Sequence, residues 1–92
     1  MIATIRRKGL EAYYRHGTKK GLPPALVKRI AVILAALDAA ESLEELDIPG
    51  LRLHHLKGSL KGYWAVSVSG NWRIVFRFQD KAAYGLDLVD YH

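Results

Sequence analysis

At Pro49-Gly50 the hydrophobic period of the chain changes, and this switch constrains the fold more than any other feature. Before it, Leu26, Ile30, Ile33, Leu34 and Leu37 fall at i, i+4, i+7, i+8 and i+11. That spacing makes one buried stripe on a helix. After it, "LRLHHL", "GYWAVSV", "NWRIVFRF" and "AAYGLDLVD" have the two-residue period of strands. The intervening "KGSLK", "SGN" and "QDK" are short enough for antiparallel hairpins. Ahead of the long helix, "IATIR" alternates and reads as an opening strand. "KGLEAYYRHG" reads as a short helix closed by Gly17. Pro23 and Pro24 suit the first turn of the long helix "ALVKRIAVILAALDAAES", where a missing N–H costs nothing. The order is therefore β-α-α-β-β-β-β. It predicts an α+β fold with two N-terminal helices packed on one face of a mostly antiparallel sheet. No repeat or linker interrupts the 92 residues, which form a single domain, 1–92.

Strand parity then separates two chemistries, because successive side chains point to opposite faces. Leu51, Leu53, Trp64, Val66, Val68, Trp72, Ile74, Phe76, Phe78, Tyr84, Leu86 and Leu88 are expected inward. The opposite parity collects Arg52, His54, Tyr63, Ser67, Arg73, Arg77 and Asp87. An antiparallel sheet covered by helices on one side can leave the other open to water and to a ligand.

The net charge of +5 is unevenly spread. Residues 38–47 carry Asp38, Glu41, Glu44, Glu45 and Asp47 and no base, whereas residues 48–77 carry Arg52, Lys57, Lys61, Arg73 and Arg77 and no acid. Such a stretch either serves a polyanion or simply forms a solvated basic face. There is no cysteine, hence no disulfide and no thiolate nucleophile. No segment approaches the roughly 20 apolar residues that cross a bilayer, so a cytoplasmic, membrane-free protein is expected. No zinc signature, phosphate-binding glycine loop or serine nucleophile elbow occurs, and neither metal nor cofactor is expected.

What remains is acid–base chemistry with cationic support. His54 stands at an outward position before a loop with Lys57 and Gly58; alone it reads as a solvated histidine, but Lys57 and Arg73 share its face. Arg73, between inward Trp72 and Ile74, is held on a rigid strand, and guanidinium suits bidentate phosphate contact. Asp90, Tyr91 and His92 extend the last strand and are either a frayed tail or part of a site. An imidazole, with an unperturbed pKa of about 6.5, exchanges protons at cellular pH. His16, at a helix end, reads as a partner for the helix dipole, and His55 is assigned no role. The combination fits cleavage of RNA by its own 2′-hydroxyl.

"KGLEAYYRHG", "LHHLKGSLKGYWAVSVSGNWRIVFRF" and "YGLDLVDYH" together resemble the HigB toxins of the RelE/ParE superfamily across essentially the whole chain. The combination LH-x-LKG, GYW, NWRI-x-F-x-F and DYH is far more specific than any piece of it. The resemblance implies a microbial-RNase-like fold and ribosome-dependent cleavage of mRNA in the aminoacyl site of the 70S ribosome. It also implies a HigA-like helix-turn-helix antitoxin, through which alone operator DNA would be bound. Carried over by position, the active-site pattern falls on His54, Lys57, Arg73, Asp90, Tyr91 and His92. The family often has proline where this chain has His55. Docking to RNA and the ribosome is expected of Arg6, Arg7, Lys8, Lys19, Lys20, Arg52, Lys61 and Arg77, with Lys28 and Arg29 as further cations. Two other readings compete: a ParE-like toxin that poisons DNA gyrase, and a non-catalytic RNA- or ribosome-binding module.

Overall fold

In the computed structural model, which describes residues 1–90, the change of period separates a helical layer from a sheet. Helix α1, Lys8–His16, closes at Gly17, whose N–H donates to the Tyr13 carbonyl. Helix α2, Val27–Ala39, follows a single 3₁₀ turn at Pro24–Leu26. It ends one residue past Asp38, short of the Ser42 end read from the sequence. Glu41 N–H and Ser42 Oγ donate to Glu45 Oε2 at 3.1 and 3.4 Å. Local side-chain partners of this kind compete with the helical ladder, and Leu43–Leu46 continues as a 3₁₀ turn.

The predicted stripe of α2 is buried in full, from Leu26 through Ile30, Ile33 and Leu34 to Leu37. It shares one core with Val66, Val68, Ile74, Phe76, Leu86 and Leu88 of the sheet. The start of α1 is held against the loop before α2 by a backbone contact. A Cβ on Gly9 would lie 2.4 Å from the Gly21 carbonyl oxygen, so only glycine fits there.

The sheet is antiparallel throughout. Its strands β1 (His54–His55), β2 (Trp64–Ser69), β3 (Trp72–Gln79) and β4 (Ala82–Asp90) are arranged in the order β1-β2-β3-β4. The opening strand expected at "IATIR" is reduced to two isolated parallel bridges against β4, Ile2 to Ala83 and Ile5 to Leu86. Backbone bonds flank both bridges, Ala3 N–H to Ala83 and Ala83 N–H to Met1, then Arg6 N–H to Leu86 and Leu86 N–H to Thr4. Between them Gly85 N–H donates to Thr4 Oγ1 at 2.7 Å instead of to a carbonyl, while Ile2 N–H, on the other edge, donates to Asp38 at 3.0 Å.

Gly85 also corrects the parity of β4. The register pairs Val75 with Asp87 but Arg77 with Tyr84, so one extra residue of β4 is accommodated around Gly85, at φ +63. A bulge of this kind inverts the alternation beyond it. Ala83 therefore enters the core, while Tyr84, expected inward, stands beside Arg77 on the opposite face. That face is not wholly polar either. Leu56, Ala65 and Val75 are buried on it, under Leu60, Tyr63 and Val89, because the segment from Leu56 to Tyr63 folds over part of the sheet.

Candidate active site on the open face of the sheet

The register lays out the face away from the helices. Ser67 and Arg73 pair across β2 and β3, with Val89 beside Arg73 on β4. The next row holds His54, Ala65, Val75 and Asp87. The row beyond it brings Tyr63 toward Arg77 and Tyr84; Leu56 N–H, at the end of β1, donates to the Tyr63 carbonyl at 3.0 Å. Small and apolar residues thus floor the middle of the face, with titratable and charged groups around it.

His54 is exposed at the β1 edge, with Nδ1 3.0 Å from the Arg52 carbonyl oxygen. That contact orients the ring and leaves Nε2 pointing elsewhere. Arg52 itself, with φ +52, turns the chain into β1. Arg73 is half-buried, and its Nη1 donates to the carbonyls of Gly70 at 2.7 Å and Trp72 at 3.0 Å. Its guanidinium is thereby fixed over the β2–β3 turn. Strand spacing and rise put the His54 and Arg73 backbones roughly 12 Å apart on one diagonal, and the turn that holds the guanidinium lies at the end of β3 away from the His54 row. Lys57 is exposed just past β1, on the side of His54 away from Arg73.

Asp90 ends the described part of β4 and pairs with Trp72, next to Arg73. Strand β4 therefore reaches the Arg73 end of the sheet, with Asp90 at the parity of Trp72 and Val89 beside Arg73 on the open face. Tyr91 and His92, the other two candidates from the sequence, lie outside the described residues.

The docking cations divide by surroundings. Arg7 donates through Nη1 to the Leu88 carbonyl and stands 3.9 Å from Asp87, so it ties α1 to β4. Arg29 donates to the carbonyls of Gly50 and Ser67 and ties α2 to the sheet. Arg77 lies over the Tyr63 ring, 5.8 Å from its centre, and Arg6 runs beside Gly85. Lys8, Lys19, Lys20, Lys28, Lys61 and Arg52 are exposed. Lys19 and Lys28 belong to the helix side, where they line a groove of about 420 Å3 with Tyr13, Pro24, Val27 and Ala31.

On the helix side two titratable groups perturb each other. Asp38 accepts from Tyr14 Oη at 2.8 Å as well as from Ile2 N–H. The Tyr14 hydrogen bond, then the Ile2 N–H, holds the Asp38 carboxyl below its usual range; the same bond, with burial, raises the Tyr14 phenol. This pair joins α1, α2 and the N-terminal segment and is remote from the open face. Among the described residues no cluster of three or more His, Asp or Glu is placed to hold a metal ion. No helix among them is long and apolar enough to cross a membrane.

Tyr84 and Gln79 are the open-face residues that the sequence reading missed. For Gln79 the signal was the parity it shares with Arg73 and Arg77; for Tyr84 it was Gly85, since an isolated glycine inside a strand pattern marks a bulge.

Two helices over a four-stranded antiparallel sheet are also the fold of several solved proteins. A point mutant of YafQ from E. coli superposes with a TM-score of 0.62 at 16% identity, over 98% of this chain and 93% of that one. YoeB in the YoeB–YefM complex from Staphylococcus aureus superposes with a TM-score of 0.58 at 22% identity, over 100% and 98%. At these identities the likeness is one of fold. The sequence narrows it further: residues 3–92 match the family model described as HigB-like toxin, the RelE-like toxin of type II toxin-antitoxin system HigB. Endoribonuclease HigB of Proteus vulgaris is 41% identical over 92 residues, the full length of both chains. The chain belongs to the HigB-like toxin family.

Proposed function

We propose that this toxin is an mRNA endoribonuclease that works on the ribosome, in the aminoacyl site, without a metal ion. The observation that carries the reading is the placement of His54 and Arg73 on one solvent-open sheet face, with β4 reaching the Arg73 end of the sheet at Asp90. The name of the Proteus vulgaris relative supports RNA cleavage as the reaction.

The 2′-oxygen attacks the adjacent phosphorus, the bond from phosphorus to the 5′-oxygen breaks, and the products are a 2′,3′-cyclic phosphate and a free 5′-hydroxyl. His54 and His92 are the pair that takes the 2′-hydroxyl proton and gives one to the leaving oxygen. Arg73 and Lys57 bind the scissile phosphate and absorb the charge that develops on it, Tyr91 stacks on or hydrogen-bonds the nucleotide, and Asp90 orients its neighbours. Preorganised donors of this kind act where charge appears in the transition state. A HigA-like antitoxin is the expected partner, in keeping with the family and with YoeB having been solved in the YoeB–YefM complex. The toxin touches operator DNA only through it.

The test is product chemistry. Purified toxin is incubated with an mRNA, either free or engaged on 70S ribosomes, with and without EDTA. The reading expects cyclic phosphate ends, on the ribosome-bound message only, at a rate indifferent to EDTA. Intact message, together with DNA breaks in a gyrase assay, would favour the ParE-like alternative; salt-sensitive RNA binding without cut ends would favour the non-catalytic module.

A further inference from the structure

The end of the open face remote from Arg73 has its own architecture. Arg77 of β3 and Tyr84 of β4 are cross-strand partners there because the Gly85 bulge turns Tyr84 outward. Together with Gln79 they line an open pocket of about 200 Å3. Behind it stands Tyr63, with the Arg77 guanidinium 5.8 Å from its ring centre. Arg6 adds a second cation: its Cδ lies 3.8 Å from where a Cβ on Gly85 would be, and the Tyr63 hydroxyl 3.5 Å from the same point. Asp87, the nearest carboxylate on β4, faces Arg7, and Asp80 sits in the β3–β4 turn beyond Gln79.

Three features point to one kind of ligand. The pocket is smaller than the roughly 300–1,000 Å3 clefts that enclose a drug-sized molecule, so it suits one flat ring resting on the surface. Its walls combine a half-buried phenol ring, a guanidinium and a carboxamide. Stacking on an aromatic face beside a cation holds unpaired bases whatever their identity, and a carboxamide offers both a donor and an acceptor to a base edge. The pocket is also displaced from the candidate centre. Arg77 is four residues along β3 from Arg73, roughly 13 Å by strand rise, too far for the nucleotide that carries the cleaved bond.

We propose that Tyr84, Arg77 and Gln79, backed by Tyr63, form a second nucleobase subsite that takes an unpaired base of the same RNA strand, flanking the scissile phosphate. The inference rests on the RNA-cleaving function proposed above. Tyr84 stacks on the base, Arg77 neutralises the phosphate beside it, and Gln79 reads its edge. The subsite adds binding energy without touching the reacting atoms, so it acts on the concentration for half-saturation and leaves the saturated rate alone.

The test uses the full chain and an mRNA on 70S ribosomes, with one abasic nucleotide placed in turn at each position flanking the cut. Single-turnover cleavage is followed as a function of toxin concentration. For wild type, removing the base at one position beyond the immediate neighbours should raise the half-saturating concentration roughly tenfold, as the loss of one stacked base does. Tyr84→Ala should show that same rise on intact mRNA and become indifferent to the abasic position; Tyr84→Phe, which keeps the ring, should behave as wild type. Circular dichroism confirms that each variant is folded. Wild-type half-saturation by folded Tyr84→Ala would overturn the subsite, as would an undiminished abasic effect in it. So would a loss confined to antitoxin binding, which would make the patch a protein surface. Failure of wild type to cut any message would instead overturn the underlying reading.

Discussion

Asp38 shows how a single carboxylate ties three segments together, accepting from Tyr14 of α1 and from Ile2 N–H while standing on α2. Its folded pKa lies below the unfolded value, chiefly because of the Tyr14 hydrogen bond. Its contribution to stability is therefore complete above about pH 4 and fades as the pH falls through the folded pKa. Asp38→Asn should cost about 1 kcal/mol or less at pH 7, the worth of exposed hydrogen bonds. The gap to wild type should close below pH 4 in urea titrations; a gap independent of pH would show that the charge is irrelevant. Arg73 is the opposite case. Its guanidinium donates to carbonyls of its own turn and neighbourhood, Gly70 and Trp72, and it belongs to neither hydrophobic cluster. Arg73→Ala should unfold within about 1 kcal/mol of wild type, so that any large loss of cleavage reads as chemistry.

At the scale of elements, Gly85 carries more than its size suggests. Its positive φ creates the bulge that puts Ala83 in the core and Tyr84 on the open face. An alanine there would occupy the left-handed region at a cost of about 1–2 kcal/mol. Gly85→Ala should lower the urea midpoint accordingly, and the amides of β4 from Ala82 to Leu86 should exchange faster than in wild type. Unchanged stability and exchange would show that the bulge is not held by glycine. The same residue marks the limit of what the sequence reveals. The α2 stripe and most of the strand alternation were legible, since period alone sorts Ile30, Ile33, Val66 and Ile74 to one side. Parity counting then failed at Tyr84, because a bulge inverts it and no periodicity records a bulge. The opening strand was overread for a related reason: the alternation in "IATIR" is real, but at Gly85 the Thr4 hydroxyl takes the N–H that a backbone carbonyl would accept, leaving two separate bridges. The buried patch of Leu56, Ala65 and Val75 was missed because its cover comes from a loop.

Viewed as a whole, the molecule has a helix side and an open sheet side, and cations populate both. Charge in the sequence marked a basic surface without saying which cations are committed to the fold. The structure separates Arg7 and Arg29, bonded to backbone carbonyls of the sheet and its approach, from exposed Lys57 and Lys61. His54 and Arg73 were assigned to one face by parity, and they share it. The central claim is that this open face performs the reaction while the helix side does not. The direct measurement is the saturated single-turnover rate of cleavage of ribosome-bound mRNA by two pairs of variants. His54→Ala and Arg73→Ala remove groups from the open face; Lys19→Ala and Lys28→Ala remove cations from the helix side. The account predicts losses of about 10²–10³ for each member of the first pair and near-wild-type rates for the second. Equal losses from both pairs, or none from the first, would contradict it.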